Sequence, residues 1–227
     1  MDPSARVYSR FNLRLYDILV LVVSNSWAWR CSTTSVLLPF FRKNLGTTAH
    51  MDVGVGSGYY LAKSARAMVD TESVTLLDLN QAALNVASAR IRQVGYQGTV
   101  DTVEHNVFRL LPDDLHGRFD AVSLMYVLHC LPGRMNEKGP KVFANLSAAL
   151  KPDAVLYGST ILGRGPEVSH NWFGKWLMGL YNRKGIFDNT EDTLDDLKQV
   201  LRVHFEDVDI KMVGVVAIFE VRRPRVG

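Results

Sequence analysis

Asp52-Val53-Gly54-Val55-Gly56-Ser57-Gly58 stands between a short apolar run, Ala49–Val55, and a segment of helical character, Ser57–Val69. Glycines at alternate positions let a backbone turn tightly and approach a ligand at the carboxyl end of a strand, where open α/β sheets bind their cofactors. A dinucleotide-binding loop would read Gly-x-Gly-x-x-Gly; here the third glycine comes one position early and Tyr59 takes the expected place. Asp52, just before the first glycine, would repel a pyrophosphate at a helix N-terminus and suits a cationic ligand. For the loop alone, a plain structural turn is the competing reading.

Asp78 sharpens the reading. It lies twenty residues beyond Gly58, near the end of the next apolar run, Val74–Leu79. A carboxylate at that spacing can accept both hydroxyls of a ribose. Its neighbours Leu77 and Leu79 leave it the sole polar group there, which disfavours a casual surface acid.

Working outward, the chain alternates strand and helix from Thr48 onward. Gln81–Val94 reads as a helix ended by Gly95, and Thr99–Glu104 as a half-buried strand. Phe119–Leu128 is a strongly apolar strand, Lys141–Leu150 a helix stopped by Pro152, and Ala154–Leu162 another strand. Thr190–Val203 opens with a capping Thr and an acidic first turn. Phe205–Val213 and Val215–Val221, joined too tightly for a crossover helix, predict an antiparallel edge hairpin. Together these predict an α/β fold: a Rossmann-like, seven-stranded, mostly parallel sheet with helices on both faces.

The first 45 residues read as two helices, about Ser4–Val23 and Trp27–Lys43, with Ser24-Asn25-Ser26 as break and cap. They form an N-terminal helical cap, residues 1–46, on a main unit of residues 47–227. Tyr8, Phe11, Leu15, Leu19 and Val22 make the apolar stripe of an amphipathic helix.

The composition is that of an ordinary globular protein, with 47% apolar and 22% charged residues. A net charge of +3 is too small to suggest nucleic-acid binding by itself. The apolar run Ile18–Val23 is too short to span a bilayer. Cys31 and Cys130 lack metal-ligand spacing, so no metal site is expected, and both read as reduced thiols of a cytoplasmic protein.

Further motifs carry a family resemblance. Asp52–Gly58, Leu76-Leu77-Asp78-Leu79-Asn80, Arg118-Phe119-Asp120-Ala121-Val122 followed by Leu128-His129-Cys130-Leu131-Pro132, and Leu150-Lys151-Pro152-Asp153-Ala154-Val155-Leu156 resemble class I S-adenosylmethionine (SAM) dependent methyltransferases. The resemblance covers roughly residues 48–222. It implies SAM as cofactor and S-adenosylhomocysteine as product. Asp52, Gly54, Gly56 and Gly58 would hold the amino-acid end, and Asp78 with Leu79 the ribose. Asn106 stands where the family often has an adenine-binding Asp; it reads equally as a turn asparagine. Val107 would flank the adenine face, and the end of the fourth strand, with Met125 and Tyr126, would border the cofactor and the substrate.

His129, just after the fourth strand, is the candidate catalytic base; anchoring a loop by hydrogen bonds is the alternative. The connection 163–189 borders the substrate pocket in this fold and supplies His170, Trp172 and Tyr181. A helix over Asn171–Tyr181 packing its aromatic face on the sheet competes with that reading. Tyr8 and Tyr16 could reach the substrate from the cap, or simply pack there. These features predict methyl transfer to an oxygen or nitrogen of a small aromatic or hydrophobic metabolite of the secondary-metabolite type. Nucleic-acid methylation is disfavoured, because the fourth strand lacks an Asp/Asn-Pro-Pro-aromatic sequence. No membrane partner is expected and the oligomeric state stays open. A methyltransferase-fold protein catalysing a non-methylating, for example pericyclic, step would carry the same cofactor motifs and remains the alternative.

Overall fold

A computed structural model describes residues 24–225. The expected helix Ser4–Val23, with Tyr8 and Tyr16, lies outside the described residues. Seven strands, β1 (Ala49–Val53), β2 (Ser73–Asp78), β3 (Thr99–Glu104), β4 (Phe119–Met125), β5 (Leu150–Ile161), β6 (Phe205–Val213) and β7 (Val216–Pro224), form one sheet in the order β3-β2-β1-β4-β5-β7-β6. The first five run parallel; β7 pairs antiparallel with β5 and β6. The strand order reverses beside β1, so the ends of β1 and β4 form the crevice where such sheets bind ligands.

Helices α1 (Leu38–Lys43), α2 (Tyr59–Ser64), α3 (Gln81–Gln93) and α5 (Trp172–Arg183) contribute to the core on one face. Helices α4 (Met135–Ser147) and α6 (Leu194–His204) fill the other with Phe143, Leu146, Leu197 and Leu201. Entry into β1 is fixed by Asp120 on β4, whose carboxylate accepts the N–H groups of Thr47, Thr48 and Ala49. Burial opposes ionisation there, yet those donors hold the carboxyl below its usual range.

Several elements differ from expectation: the helix expected over Ser57–Val69 spans Tyr59–Ser64, the strand from Phe119 stops at Met125 rather than Leu128, and β5 starts at Leu150 rather than Ala154. The expected helix Trp27–Lys43 is broken at residues 29–32, where Arg30 has φ +54°. Wide turns flank the break, closed by hydrogen bonds from Trp29 N–H to the Ser24 carbonyl (3.0 Å) and from Leu37 N–H to the Ser32 carbonyl (3.2 Å). Asn25 braces it by donating to the Thr33 hydroxyl at 2.8 Å. The expected start at Lys141 is also too late, because α4 runs through Pro140. Its first turn is held by Glu137, which accepts from the Arg134 N–H, and by the wholly buried Lys138.

Lys138 ties three segments together. Its ammonium lies 2.8 Å from the buried Asp192 carboxylate and donates to the carbonyls of Leu131 (3.1 Å) and Asp188 (2.6 Å). Removing one member of such a pair leaves an uncompensated buried charge. We therefore expect Lys138→Met to destabilise the fold by about 3–5 kcal/mol, with Lys138→Met/Asp192→Leu recovering most of the loss. Urea denaturation reads both; a single mutant within about 1 kcal/mol of wild type contradicts the assignment.

Candidate active site

The glycine loop leaves β1 with Gly54, Gly56 and Gly58 all at positive φ, +66°, +52° and +69°. A Cβ on Gly54 would meet Val127 at 2.4 Å, so the loop lies directly against the end of β4. One on Gly58 would strike the Ala87 backbone at 2.9 Å, which places α3 against the loop's other side. Arg90 of α3 completes the clamp by donating to the Ser57 carbonyl (3.2 Å) and hydroxyl (3.1 Å). Gly56 differs, since a Cβ there would find nothing within 4 Å. Its backbone faces open space.

Two carboxylates flank this loop. Asp52 is 5% exposed, on the second-last residue of β1, and its in-register neighbours are Leu76 on β2 and Ser123 on β4. Ser123 Oγ donates to Asp52 Oδ1. Burial pushes the Asp52 pKa up to about 7; the Ser123 bond opposes the rise and the charge of Asp78 adds to it. Asp78 Oδ1 accepts from Asn80 N–H at 2.9 Å and Oδ2 from Gly56 N–H at 3.3 Å, which fixes the carboxylate's direction. Burial raises its pKa too, against the lowering effect of those N–H groups. Among the described residues, no basic side chain acts on either acid. A cationic ligand with hydroxyls fits this donor set: it would neutralise the pair and use the lone pairs still available.

The remaining expected residues are placed unevenly. Leu79 is 60% exposed beside Asp78. Asn106 Oδ1 already accepts the Phe108 N–H at 3.0 Å, leaving one lone pair, while the Val107 carbonyl accepts from Asn145. Met125 is buried at the end of β4. Tyr126 follows at φ +58°, unusual for a bulky residue, with its hydroxyl buried beside the Cys31 thiol.

His129 is 3% exposed, its ring 4.4 Å from Phe187 and 5.5 Å from Tyr126. Its Nδ1 accepts from the Ile161 N–H at 3.4 Å. Burial, and then the nearby Lys138 charge, lower its pKa to about 3. His170 lies against Trp29 and donates through Nε2 to the Leu162 carbonyl, with Nδ1 buried and unpartnered. It borders an open cleft of about 440 Å³ that also touches Arg164, Ser169 and Lys175. Tyr181 packs on Phe187. Trp172 is 81% exposed and touches Phe173, apart from the others.

Sequence reasoning missed His50, Tyr60 and Ser123. For His50 and Ser123 the signal was available: polar residues inside apolar strands, with His50 two positions before Asp52 and hence on the same side of β1.

The chain matches a methyltransferase domain family over residues 51–156. It is 41% identical to the methyltransferase ctvB of Aspergillus terreus, over 96% of this chain and 93% of that protein. The chain belongs to the class I SAM-dependent methyltransferases. The physcion biosynthesis cluster O-methyltransferase of Aspergillus chevalieri is 37% identical, over 99% and 98% of the two chains. Among solved structures, the [4+2]-cyclase SpnF superposes with a TM-score of 0.62 at 15% identity, covering 95% of this chain and 96% of that one, a likeness of fold. SAM is thus the cofactor, and the protein is a methyltransferase. Among the described residues, no helix is long and apolar enough to cross a membrane.

Two glycine substitutions separate cofactor contact from folding. Gly56→Val meets no atom but is strained at φ +52°, and should lower the melting temperature by only a few degrees while abolishing SAM binding. Gly58→Val would drive its side chain into the α3 backbone and should lower stability markedly. Calorimetry beside melting curves checks both; a folded Gly56→Val protein that binds SAM normally contradicts the placement.

Proposed function

We propose that the protein transfers the methyl group of SAM to an oxygen or nitrogen of a small aromatic or hydrophobic metabolite, in the cytoplasm. The observation that carries this reading is the pair of desolvated carboxylates, Asp52 and Asp78, flanking the open backbone at Gly56. In this reading Asp52 meets the ammonium of SAM and Asp78 the ribose hydroxyls. Leu79 and Val107 flank the adenine, and the remaining lone pair of Asn106 Oδ1 accepts from its amino group. Gly54 and Gly58 shape the loop, and Met125 closes the floor. When bound, SAM supplies a methyl group activated by its sulfonium.

Support for the substrate class comes from the relatives, one of them named for O-methylation in a biosynthetic cluster. It also comes from the aromatic row Tyr126, His129, Phe187, Trp29 and His170, with Tyr181 against Phe187. Such a row suits a flat or hydrophobic molecule. Tyr126, His170 and Tyr181 are retained as substrate-facing residues, whereas the exposed Trp172 is not.

His129 is assigned a packing role in place of the expected base. With Nδ1 accepting from Ile161 N–H, a neutral ring carries its proton on Nε2 and offers no vacant acceptor. A depressed pKa also means the ring stays neutral as pH falls through the ordinary histidine range. Alignment can then supply much of the rate, on the order of 7–11 kcal/mol in favourable systems.

The reading is tested by incubating the protein with SAM and a panel of phenolic, enolic and amine metabolites, and following S-adenosylhomocysteine. Stoichiometric S-adenosylhomocysteine and methylated product are expected. Turnover of a metabolite without either would favour the non-methylating alternative. In the same assay, His129→Ala should lose less than about tenfold in kcat, show no new step between pH 6 and 8, and melt earlier. A loss of about 10²-fold or more with unchanged melting would restore the base.

A further inference from the structure

Beneath the glycine loop runs a buried polar chain for which the cofactor contacts alone give no reason. His50, wholly buried on β1, accepts the Gly46 N–H at its Nδ1 (3.3 Å). A neutral imidazole with one nitrogen so engaged carries its proton on the other. Nε2 lies 3.0 Å from Ser123 Oγ, so it donates there. Ser123, also wholly buried, has one hydroxyl proton and three oxygens near it: Asp52 Oδ1, in very short contact, the Met51 carbonyl at 3.4 Å, and the Tyr157 hydroxyl. The His50 donor occupies one lone pair of Oγ and leaves that proton free to choose.

The choice depends on the charge of Asp52. An ionised Asp52 has no proton to give, so Ser123 donates to it, and the His50 donor polarises the hydroxyl and strengthens that bond. A protonated Asp52 can donate to Ser123 Oγ instead, and the serine proton turns to the Met51 carbonyl. The two arrangements use the same atoms and leave no buried donor unsatisfied. We propose that His50 and Ser123 form a positioning relay that stabilises the ionised, cation-binding state of Asp52 and thereby sets the pH range in which the protein binds SAM. This rests on the reading of Asp52 as the partner of the SAM ammonium.

The surroundings leave few competitors for this role. Asp52 is faced by Ser123 from β4, Asp78 from the end of β2, Tyr60 from α2 and Tyr157 from β5. Asp78 disfavours the charge. The Tyr60 hydroxyl is buried with no partner among the described residues, and the Tyr157 hydroxyl donates to the Phe41 carbonyl at 3.3 Å, leaving its oxygen free to accept from Ser123. Both phenols are pushed well above their ordinary pKa and stay neutral, as does His50, whose burial lowers its pKa to about 4. Among the described residues, the Ser123 bond is what favours the carboxylate of Asp52.

The experiment is calorimetric titration of the full chain with S-adenosylhomocysteine from pH 5.5 to 9; the ligand's own amino group, which titrates from about 7.7–8.0 upward, contributes alike in every variant. Wild-type affinity should fall as pH drops through about 7. Ser123→Ala should move that midpoint upward by about one unit, and His50→Phe should move it the same way by less. His50→Gln, which keeps a donor, should restore part of the shift. Asp52→Asn should bind at least tenfold more weakly and lose the pH step. Melting curves without ligand identify any variant that fails to fold; Ser123→Ala removes one atom and is the reference variant. A normal midpoint in folded Ser123→Ala, with Asp52→Asn still weak and pH-independent, overturns the relay alone. Full affinity in Asp52→Asn overturns the reading of Asp52 itself.

Discussion

The site rests on the cost of keeping two like charges in a poorly solvated crevice. Asp52 and Asp78 end adjacent parallel strands, each loses water on folding, and each raises the cost of ionising the other or bears that of its own burial. A fold gains nothing from such a pair, and purely structural selection would replace it with apolar side chains. The sheet order supplies the place, because the switch point beside β1 is where strand ends separate. The glycines supply the access, bringing backbone rather than side chains to the space between the acids. A ligand that is positive at one end and carries vicinal hydroxyls resolves the arrangement, and SAM is such a ligand.

Much of this was legible in the sequence, for reasons that differ by element. The glycine loop and Asp78 could be read because positive φ and a lone carboxylate at a strand end leave few alternatives. The edge hairpin was legible from Gly214 between two apolar runs, and the structure puts that glycine at φ +61°. Thr99–Glu104 and the helix from Gln81 were legible from periodicity and from Gly95; the Asn80 cap, whose side chain accepts the Ala82 N–H, is seen in the structure.

What local pattern does not reveal has physical causes as well. The expected start at Lys141 falls just after Pro140, yet the early turn of α4 is secured by tertiary bonds from Lys138 that no local pattern reveals. The break at Arg30 depends on the Asn25–Thr33 bond and on a guanidinium bond to the Ser169 carbonyl, far away in sequence. His129 looked like a base because a histidine at that strand end suits proton transfer at neutral pH. Three dimensions bury it against Phe187 and occupy its Nδ1. Burial of a titratable group is a property of the whole fold, and the residues that create it here come from β5 and from the segment before Asn189. The His50–Ser123 chain was hidden for the same reason, since it spans two strands 73 residues apart.

The central claim is that an Asp52 held near its titration midpoint becomes fully ionised when it meets the cofactor's positive charge. Calorimetry of SAM binding at pH 7 in buffers of different ionisation enthalpy counts the protons exchanged. The account predicts release of about half a proton per SAM bound, lost in Asp52→Asn. No exchange in the wild type, or net proton uptake, would contradict it.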